Sequence, residues 1–389
     1  MHSTDPGATR IVARQLYDGV DQGLRPDCIL EIAQGRITQI RAATAQDAHD
    51  PGVREFDLVS PGFIDLQING AGDTQFNFEP DVPALDRIAA GARRGGTAYI
   101  LPTFITAHGQ DYLRAIAAVR DAISDGVAGI LGVHLEGPFL SHNRPGIHDP
   151  TAIRALNDQD IEALTSADAG VVLLTVAPET LPDGALARLT AADIVVFAGH
   201  TAASADQIAT AEAEGLTGVT HLFNAMSQIT GREPGVVGAT FASHSLFAGI
   251  IADGHHVDWR NVAIAARLMP DRLCLVTDAM LTLAGEATEF DLHGVKITLE
   301  DGRLANAEGR LAGAHISMID SVRNMITHAQ CSVPQALRMA TINPARSLGM
   351  AAEVGTLGTG RCATLTCLSN DLEVEAVMID GKFPDETMT

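Results

Sequence analysis

The chain has 389 residues, enough for one large domain with a smaller second one. Apolar residues make up 46% of it and aromatic residues only 4%, so Ala, Val, Ile and Leu must build the core. The formal net charge of -22 argues against nucleic acid and against an anionic membrane as partners, because both are negatively charged. A small anionic substrate stays possible, since a single arginine can hold a phosphate.

Five cysteines occur without a CxxC motif, at Cys28, Cys274, Cys331, Cys362 and Cys367. Their odd number indicates neither a disulfide framework nor a thiolate zinc site, and a reduced cytoplasm is the simpler expectation. The N-terminal segment MHSTDPGATR lacks the apolar stretch of a signal sequence. No apolar run approaches the ~20 residues that a membrane-spanning helix needs.

The chain begins with a β-rich part, residues 11–58, in which CILEIAQGRITQIRA alternates around a turn at Gln34 and Gly35. Short apolar runs then alternate with Ala-rich stretches of helical period. Candidate helices lie within residues 82–95, 110–126, 151–167 and 203–215. Eight runs are predicted to be strands: Gly62–Gln67, Ala98–Thr103, Gly129–Glu136, Val171–Val176, Ile194–His200, Gly218–His221, Leu246–Asp253 and Leu273–Asp278.

Eight such β/α units predict an α/β fold, a (β/α)8 TIM-like barrel over residues 59–348. A doubly wound sheet is the alternative, but the sequence has no GxGxxG or GxxxxGK[ST] phosphate loop. After the eighth run, FDLHGVKITLEDGRLANAEG is expected to form a β excursion and HISMIDSVRNMITHAQ a final helix. The C-terminal segment is again β-rich, so residues 1–58 and 349–389 are predicted to form one small sheet domain.

Functional side chains of such a barrel lie at the carboxyl ends of its strands. Glu136, His200, His221 and Asp278 occur at those ends on four predicted strands. One glutamate and two histidines are a common ligand set of catalytic zinc that leaves a position for water, and Asp278 would then carry protons beside it. A lone histidine at a strand end is more often structural, so the four together favour a metal site. His134 either orients this site or simply packs there.

Loops after the strands supply further candidates. His148 follows the third run in a Gly- and Pro-rich loop, and His256 follows the seventh. Asn224 and the backbone near Ala225 follow the sixth run and could bind a polar substrate. Arg232 lies in the same loop, either as an exposed surface residue or as an anion clamp, because a guanidinium matches phosphate and carboxylate.

Seven motifs, in order, resemble those of the N-acetylglucosamine-6-phosphate deacetylases of the amidohydrolase superfamily: PGFIDLQINGAG, HLEGPF, GHT, THLFNAM, ITGREPG, IIADGHHVD and VTDAM. The resemblance covers residues 59–348 with the flanking β domain. It implies a deformed TIM barrel with a small β-sandwich built from both termini, and a homodimer. It also implies hydrolysis of the N-acetyl amide of N-acetylglucosamine 6-phosphate, which yields glucosamine 6-phosphate and acetate.

Carried over by motif, the resemblance gives the strand-end residues their roles. Glu136, His200 and His221 look like the ligands of one divalent metal per subunit. Zinc is favoured, while iron, cobalt and manganese would also bind such ligands. Asp278 looks like the catalytic acid and base, and His148 like the residue that polarises the amide carbonyl.

The resemblance also implies the substrate contacts. Asn224, Ala225 and Arg232 match them, and His256 is preferred to its neighbour His255 by motif position. In the family the arginine is associated with the phosphate, from its own or from the partner subunit.

The first strand ends in Gln67 and Asn69, where many amidohydrolases carry His-x-His for a second metal. Neutral amides are poor zinc ligands beside imidazole and carboxylate, so the sequence resembles the one-metal kind. Asp73 departs from the family, which more often has glycine there. Two alternatives stay open: the same chemistry on N-acetylgalactosamine 6-phosphate or another N-acyl substrate, and a non-catalytic amidohydrolase-like scaffold.

Overall fold

The computed structural model describes residues 9–47 and 50–384. Residues 1–8, which make up most of the segment without an apolar signal stretch, lie outside the described residues. Ten α-helices occur in the described part: α1 (Val82–Arg94), α2 (Tyr112–Ser124), α3 (Asp158–Thr165), α4 (Ala185–Thr190), α5 (Ala205–Ala213), α6 (Gly235–Ala242), α7 (Trp259–Leu268), α8 (Met318–Thr327), α9 (Val333–Ala340) and α10 (Ile342–Ser347).

The strands of the described part fall into a terminal sheet, a barrel, an excursion and a short two-stranded sheet. The terminal sheet takes its first strands from β1 (Thr9–Leu16), β2 (Arg25–Ala33), β3 (Arg36–Ala42) and β4 (Val53–Pro61). The middle of the chain has β5 (Phe63–Ile68), β6 (Gly70–Ala71), β7 (Thr74–Gln75), β8 (Thr97–Ile105), β9 (Gly132–Glu136), β10 (Val171–Val176), β11 (Val195–Ala198), β12 (Gly218–Val219), β13 (Phe247–Ile250), β14 (Leu273–Leu275), β15 (Glu289–Leu292), β16 (Val295–Glu300) and β17 (Arg303–Asn306). The last strands are β18 (Leu365–Leu368) and β19 (Val374–Met378).

Eight parallel strands form the barrel, in the order β5, β8, β9, β10, β11, β12, β13 and β14. The first and last strands meet beyond β14, where Ile68 bridges Ala279 and the Asp278 N–H donates to the Gln67 carbonyl at 2.8 Å. Each of the eight predicted runs overlaps one of these strands, with ends shifted by a few residues. The predicted (β/α)8 barrel is therefore confirmed.

The barrel strands are largely buried, which explains why they occur in the sequence as short apolar runs. All nine residues of β8 are buried, because helices cover the outer face of a parallel barrel and side chains fill its interior. Helix α1 begins where the Asp81 side chain accepts a hydrogen bond from the Ala84 N–H. The helix predicted within residues 151–167 begins only at Asp158, because Asn157 and Asp160 form a capping box there.

The two termini together form one six-stranded sheet, in the order β19, β18, β4, β1, β2 and β3. The sheet is curved, so that its edge strand β3 comes close to the segment before β18. There the Ile37 N–H donates to the Arg361 carbonyl at 2.9 Å. Residues from both ends of the sheet then share one apolar core, which includes Ile11, Leu30, Leu365 and Met378. The predicted β domain from both termini is confirmed, while its boundaries at residues 58 and 348 stay a prediction.

The excursion after the eighth barrel strand is a three-stranded antiparallel sheet, β15 to β17. The helix predicted to be the final one is α8, but α9 and α10 follow it. Leu292, Ile297 and Leu304 of this sheet pack against Ile105 and Met280. Since Ile105 ends β8 and Met280 follows β14, the excursion covers one side of the barrel mouth.

None of the described helices is both long enough and apolar enough to cross a membrane. All five cysteines are free, and three of them are buried. The chain therefore relies on packing and hydrogen bonds rather than on cross-links.

Candidate active site

A cavity of about 230 Å³ opens at the carboxyl ends of the barrel strands. Arg232 is the one predicted site residue that does not line it; it is exposed on the loop of residues 227–234. The cavity brings together the other eight: Glu136, His148, His200, His221, Asn224, Ala225, His256 and Asp278.

Three atoms that could ligate a metal meet at the floor of this cavity. Glu136 ends β9, while His200 and His221 follow β11 and β12, and all three are buried. Glu136 Oε1 lies 3.2 Å from His200 Nε2 and 2.9 Å from His221 Nε2, and the two Nε2 atoms are 3.1 Å apart. Ligand atoms about 2.0–2.1 Å from a tetrahedral zinc lie about 3.3 Å from one another, so this spacing fits one metal ion.

The hydrogen positions around these atoms also suit a cation. The His200 Nδ1–H donates to the Arg144 carbonyl at 3.0 Å, which leaves a lone pair on Nε2 in the neutral ring. The Glu136 carboxylate can only accept. His221 Nδ1 is buried without a hydrogen-bond partner among the described residues. The three ligand atoms therefore share at most one proton, that of His221, when both rings are neutral.

His148 is a second possible neighbour of a metal at this place. Three atoms that could ligate a metal, one each from Glu136, His148 and His200, lie within 4.8 Å of one another. His148 Nε2 is, however, 3.9 Å from the nearer Glu136 oxygen, against 2.9 Å for His221 Nε2. The shorter distance is our reason to propose His221 as the third ligand and to place His148 beside the metal.

Two amides at the end of the first barrel strand contact the site's carboxylates: Gln67 of β5 contacts both, and Asn69, just after β5, contacts one. Gln67 Nε2 lies 3.3 Å from both oxygens of Glu136 and 3.1 Å from Asp278 Oδ1. Asn69 Nδ2 donates to the same Asp278 oxygen at 2.7 Å. Burial and the nearby charge of Glu136 raise the pKa of Asp278 to about 6, while the bond from Asn69 acts in the opposite direction. Asp278 can thus exchange a proton near neutral pH.

Several site residues have a left-handed backbone. The φ angle is +48° at His200, +34° at His221, +48° at Ala225 and +48° at Asp278. This region costs a residue with a Cβ about 1–3 kcal/mol and persists only where the surrounding structure enforces it. Such strain gathers at functional sites, so its concentration here supports a functional role for these strand ends.

Asp253 orients His256 towards the cavity. Its Oδ2 lies 2.7 Å from His256 Nδ1, and its Oδ1 accepts the backbone N–H groups of His255 and His256 at 2.8 Å. His256 lines the cavity, whereas His255 is exposed and does not. Asn224 also lines it and donates its amide to the His221 carbonyl at 3.3 Å.

His134 lies below the cavity rather than in it. Its ring nitrogens lie 3.0 Å from Thr103 Oγ1 and 2.8 Å from Thr175 Oγ1. Burial lowers the pKa of His134 to about 4, so the ring is neutral at pH 7. Its hydrogen bonds tie β9 to both neighbouring strands beneath Glu136.

Sequence reasoning missed part of the site. Thr106 Oγ1 lies 2.8 Å from His148 Nδ1, and its position directly after the second strand could have revealed it. The other missed residues are Ile105, Gly146, Ile147, Met280, Arg310, Leu311 and Gly313. Of these, Ile105 ends β8 and Met280 ends the motif VTDAM, while the rest belong to loops outside the quoted motifs.

Comparison with known proteins identifies the family of this chain. The sequence model of the amidohydrolase family matches residues 58–383. An N-acetylgalactosamine-6-phosphate deacetylase from Shewanella sp. (strain ANA-3) is 35% identical, over 92% of this chain and 92% of the relative. The N-acetylglucosamine-6-phosphate deacetylase of Haemophilus influenzae is 33% identical, over 89% of this chain and 92% of the relative.

Solved structures agree with these sequence matches. The N-acetylglucosamine-6-phosphate deacetylase of Pasteurella multocida superposes with a TM-score of 0.91 at 31% identity, over 96% of this chain and 98% of the other. A mutant of the Mycobacterium smegmatis enzyme, in complex with N-acetyl-D-glucosamine-6-phosphate, gives 0.89 at 31% identity, over 97% and 99%. The family model, the relatives and the shared barrel fold lead to one conclusion: the chain belongs to the amidohydrolase family.

Proposed function

We propose that the chain hydrolyses the N-acetyl amide of N-acetylglucosamine 6-phosphate to glucosamine 6-phosphate and acetate. The observation that carries the proposal is the buried group of Glu136, His200 and His221, with ligand atoms 2.9–3.2 Å apart, in one cavity with Asp278. The names of the similar enzymes from Haemophilus influenzae and Pasteurella multocida support the same activity.

Glu136, His200 and His221 would hold one divalent metal ion. Zinc is our first choice because one glutamate and two histidines are a common catalytic zinc set, and iron, cobalt or manganese are the alternatives. When bound there, such a metal lowers the pKa of a water molecule towards about 7 and so supplies a nucleophile at neutral pH. Gln67 and Asn69 stand where a second metal would need ligands, so we propose one metal per subunit.

Asp278 is the proposed proton carrier. Both Gln67 and Asn69 contact its Oδ1, so we assign proton transfer to Oδ2. With its pKa raised to about 6, the carboxylate is mostly ionised at pH 7 and can accept a proton from the attacking water. The same group then returns the proton to the leaving amine.

His148 is proposed to polarise the amide carbonyl. Burial, and then the nearby His200, lower the pKa of His148 well below its ordinary value, so the ring is neutral and carries one N–H. That hydrogen must be on Nε2 to reach a substrate oxygen. The Thr106 hydroxyl lies 2.8 Å from Nδ1 and 3.2 Å from the Glu136 carbonyl, and the proposed tautomer requires its single proton to be donated to Nδ1, the nearer of the two acceptors.

The sugar and its phosphate are proposed to contact the loops around the mouth. His256, Asn224 and the backbone of Ala225 line the cavity and would bind the sugar. Arg232 does not reach the cavity of its own chain, so its proposed phosphate contact requires a homodimer in which it serves the partner's site. We propose this dimer together with a cytoplasmic location.

The epimeric N-acetylgalactosamine 6-phosphate is the second candidate substrate. It is favoured by the Shewanella relative, which carries that substrate in its name and is 35% identical to this chain. Which epimer is preferred depends on contacts to a single hydroxyl group.

Metal analysis combined with acetate release tests the proposal. We expect about one divalent metal per chain and faster release from N-acetylglucosamine 6-phosphate than from N-acetylgalactosamine 6-phosphate. Faster release from the galactosamine epimer would reverse the order of the two candidates. A protein that binds no metal and releases no acetate from either sugar would contradict the proposal and favour the scaffold alternative.

A further inference from the structure

We propose that Arg310 binds the anionic group of the substrate from within the same chain and so sets a preference for phosphorylated over unphosphorylated N-acetyl amino sugars. The identity of the substrate rests on the proposed function. The new element is a cation that comes from the β excursion rather than from the loop of Arg232.

The first observation is the charge distribution of the cavity. Arg310 is the only arginine or lysine among the described residues that line it. Glu136 and Asp278 put negative charge at the floor, and the whole chain carries a net charge of -22. An anionic substrate is therefore repelled by most of the chain, and a local cation at the rim is needed to offset that repulsion.

The second observation is that the charge of Arg310 is not neutralised. Its Nη1–H donates to the Gly146 carbonyl at 3.1 Å, and no carboxylate of residues 9–47 and 50–384 lies within 4.0 Å of the guanidinium. Some other exposed arginines pair with acids, as Arg260 does with Asp258 at 2.8 Å, while others, such as Arg36, donate to a carbonyl instead. A guanidinium has five N–H groups, so Arg310 keeps several for a ligand.

The third observation concerns the direction of the side chain. Gly146 follows β9 in the loop that carries His148, and it also lines the cavity. A Cβ at Gly146 would lie only 2.9 Å from His200 Cε1, which shows how close this wall is to the site. The bond to the Gly146 carbonyl thus holds the guanidinium against the wall of the active-site cavity.

The backbone of Arg310 is held in place as well. Asn306 Oδ1 accepts the N–H groups of Glu308 and Arg310 at 3.1 and 2.9 Å, and the Asn306 N–H donates to the Arg310 carbonyl at 3.0 Å. Because the excursion packs on Ile105 and Met280, this turn is fixed at the barrel mouth. An anion that binds here meets an arginine that is already in position, which lowers the entropy lost on binding.

Substitutions that remove only the charge test the proposal. Arg310→Gln should raise KM for N-acetylglucosamine 6-phosphate about tenfold with little change in kcat, because an ionic bond at an exposed rim adds similar affinity to ground and transition states. Arg310→Lys should recover part of the loss. Arg36→Gln is the matched control, since Arg36 is also exposed and also donates to one carbonyl, that of Gly360 at 2.9 Å.

Unphosphorylated N-acetylglucosamine separates phosphate binding from a structural role. Arg310→Gln should raise KM for the phosphorylated sugar far more than for the unphosphorylated one. Added salt should weaken the binding of the phosphorylated sugar to the wild type more than its binding to the variant. An equal rise in KM for both sugars, or an equal fall in kcat, would show that Arg310 only holds the Gly146 loop. Either result would overturn the proposal.

A binding experiment keeps the test independent of turnover. If the wild type releases no acetate from the phosphorylated sugar, the proposed function fails, but Arg310 can still be tested by calorimetry. Glucosamine 6-phosphate should then bind the wild type more tightly than glucosamine does, and Arg310→Gln should remove that difference. An unchanged difference, or no preference for the phosphate in the wild type, would contradict the proposal.

Discussion

Asn69 allows a direct test of how Asp278 is tuned. The Asn69 side chain is 1% exposed, and its Nδ2–H donates to Asp278 Oδ1 at 2.7 Å. Asn69→Leu keeps a similar volume and removes the donor. Because this bond stabilises the ionised carboxylate, its loss should raise the pKa of Asp278 above its present value of about 6.

The size of the shift follows from the strength of the lost bond. A hydrogen bond to a charged group is worth about 1.5–3 kcal/mol net, and one pKa unit corresponds to about 1.4 kcal/mol. Gln67 still donates to the same oxygen at 3.1 Å, so we expect the pKa of Asp278 to rise by about one unit, the low end of this range. A base with its pKa near 7 instead of 6 is ionised about fivefold less at pH 6. A bound metal acts on the wild type and the variant alike, so the difference between them is preserved.

The assay is kcat/KM for acetate release between pH 5 and pH 9. The acid limb should move about one unit to higher pH in Asn69→Leu, with rates that converge towards the wild type at pH 9. Asn324→Leu is the control, because Asn324 Nδ2 donates at 2.8 Å to the Ala252 carbonyl instead. A uniform loss of rate at every pH, with the limb in place, would refute the reasoning.

Three further predictions concern buried carboxylates. Asp278→Asn should lower kcat by about 10²–10⁴-fold at unchanged metal content, and near-normal turnover would contradict its role as proton carrier. Glu136→Ala should lose the metal, measured by elemental analysis, together with turnover; full metal content would contradict its role as ligand. Burial raises the pKa of Asp65 to about 7, so between about pH 4 and pH 7 the unfolded chain binds fewer protons than the folded one and stability should fall as pH rises. Asp65→Asn should flatten that fall in urea unfolding at pH 5 and pH 8, whereas an unchanged slope would assign it to other groups.

The barrel could be predicted because burial leaves a clear pattern in the sequence. Strands such as β8 are buried along their whole length, so their residues form uninterrupted apolar runs. In a parallel barrel all carboxyl ends lie on one side, so polar residues that end such runs must converge. Glu136, His200, His221 and Asp278 were found in this way, and the structure brings them to one cavity.

Arg310 and Thr106 show where this reasoning ends. Arg310 follows the last strand of the β excursion, and its place at the mouth depends on packing between residues far apart in sequence, such as Leu304 and Met280. Periodicity within a segment carries no information about that packing. The role of Thr106 depends on a single hydrogen bond to His148, which needs the loop geometry. Arg232 was assigned by motif, and one chain alone does not bring it to the cavity.

The end of the first strand shows how a one-metal site can remain stable. Glu136 and Asp278 are two buried carboxylates in one cavity, and buried charges need partners. Gln67 donates to both of them, and Asn69 donates to Asp278. The N–H groups of these two amides thus stabilise the buried carboxylates, as a second cation would do in a two-metal site. Histidines at these positions would offer fewer N–H groups and a nitrogen lone pair that binds zinc well, which favours a second metal. Whether positions 67 and 69 carry amides or imidazoles therefore determines whether hydrogen bonds or a second metal stabilise the Asp278 carboxylate.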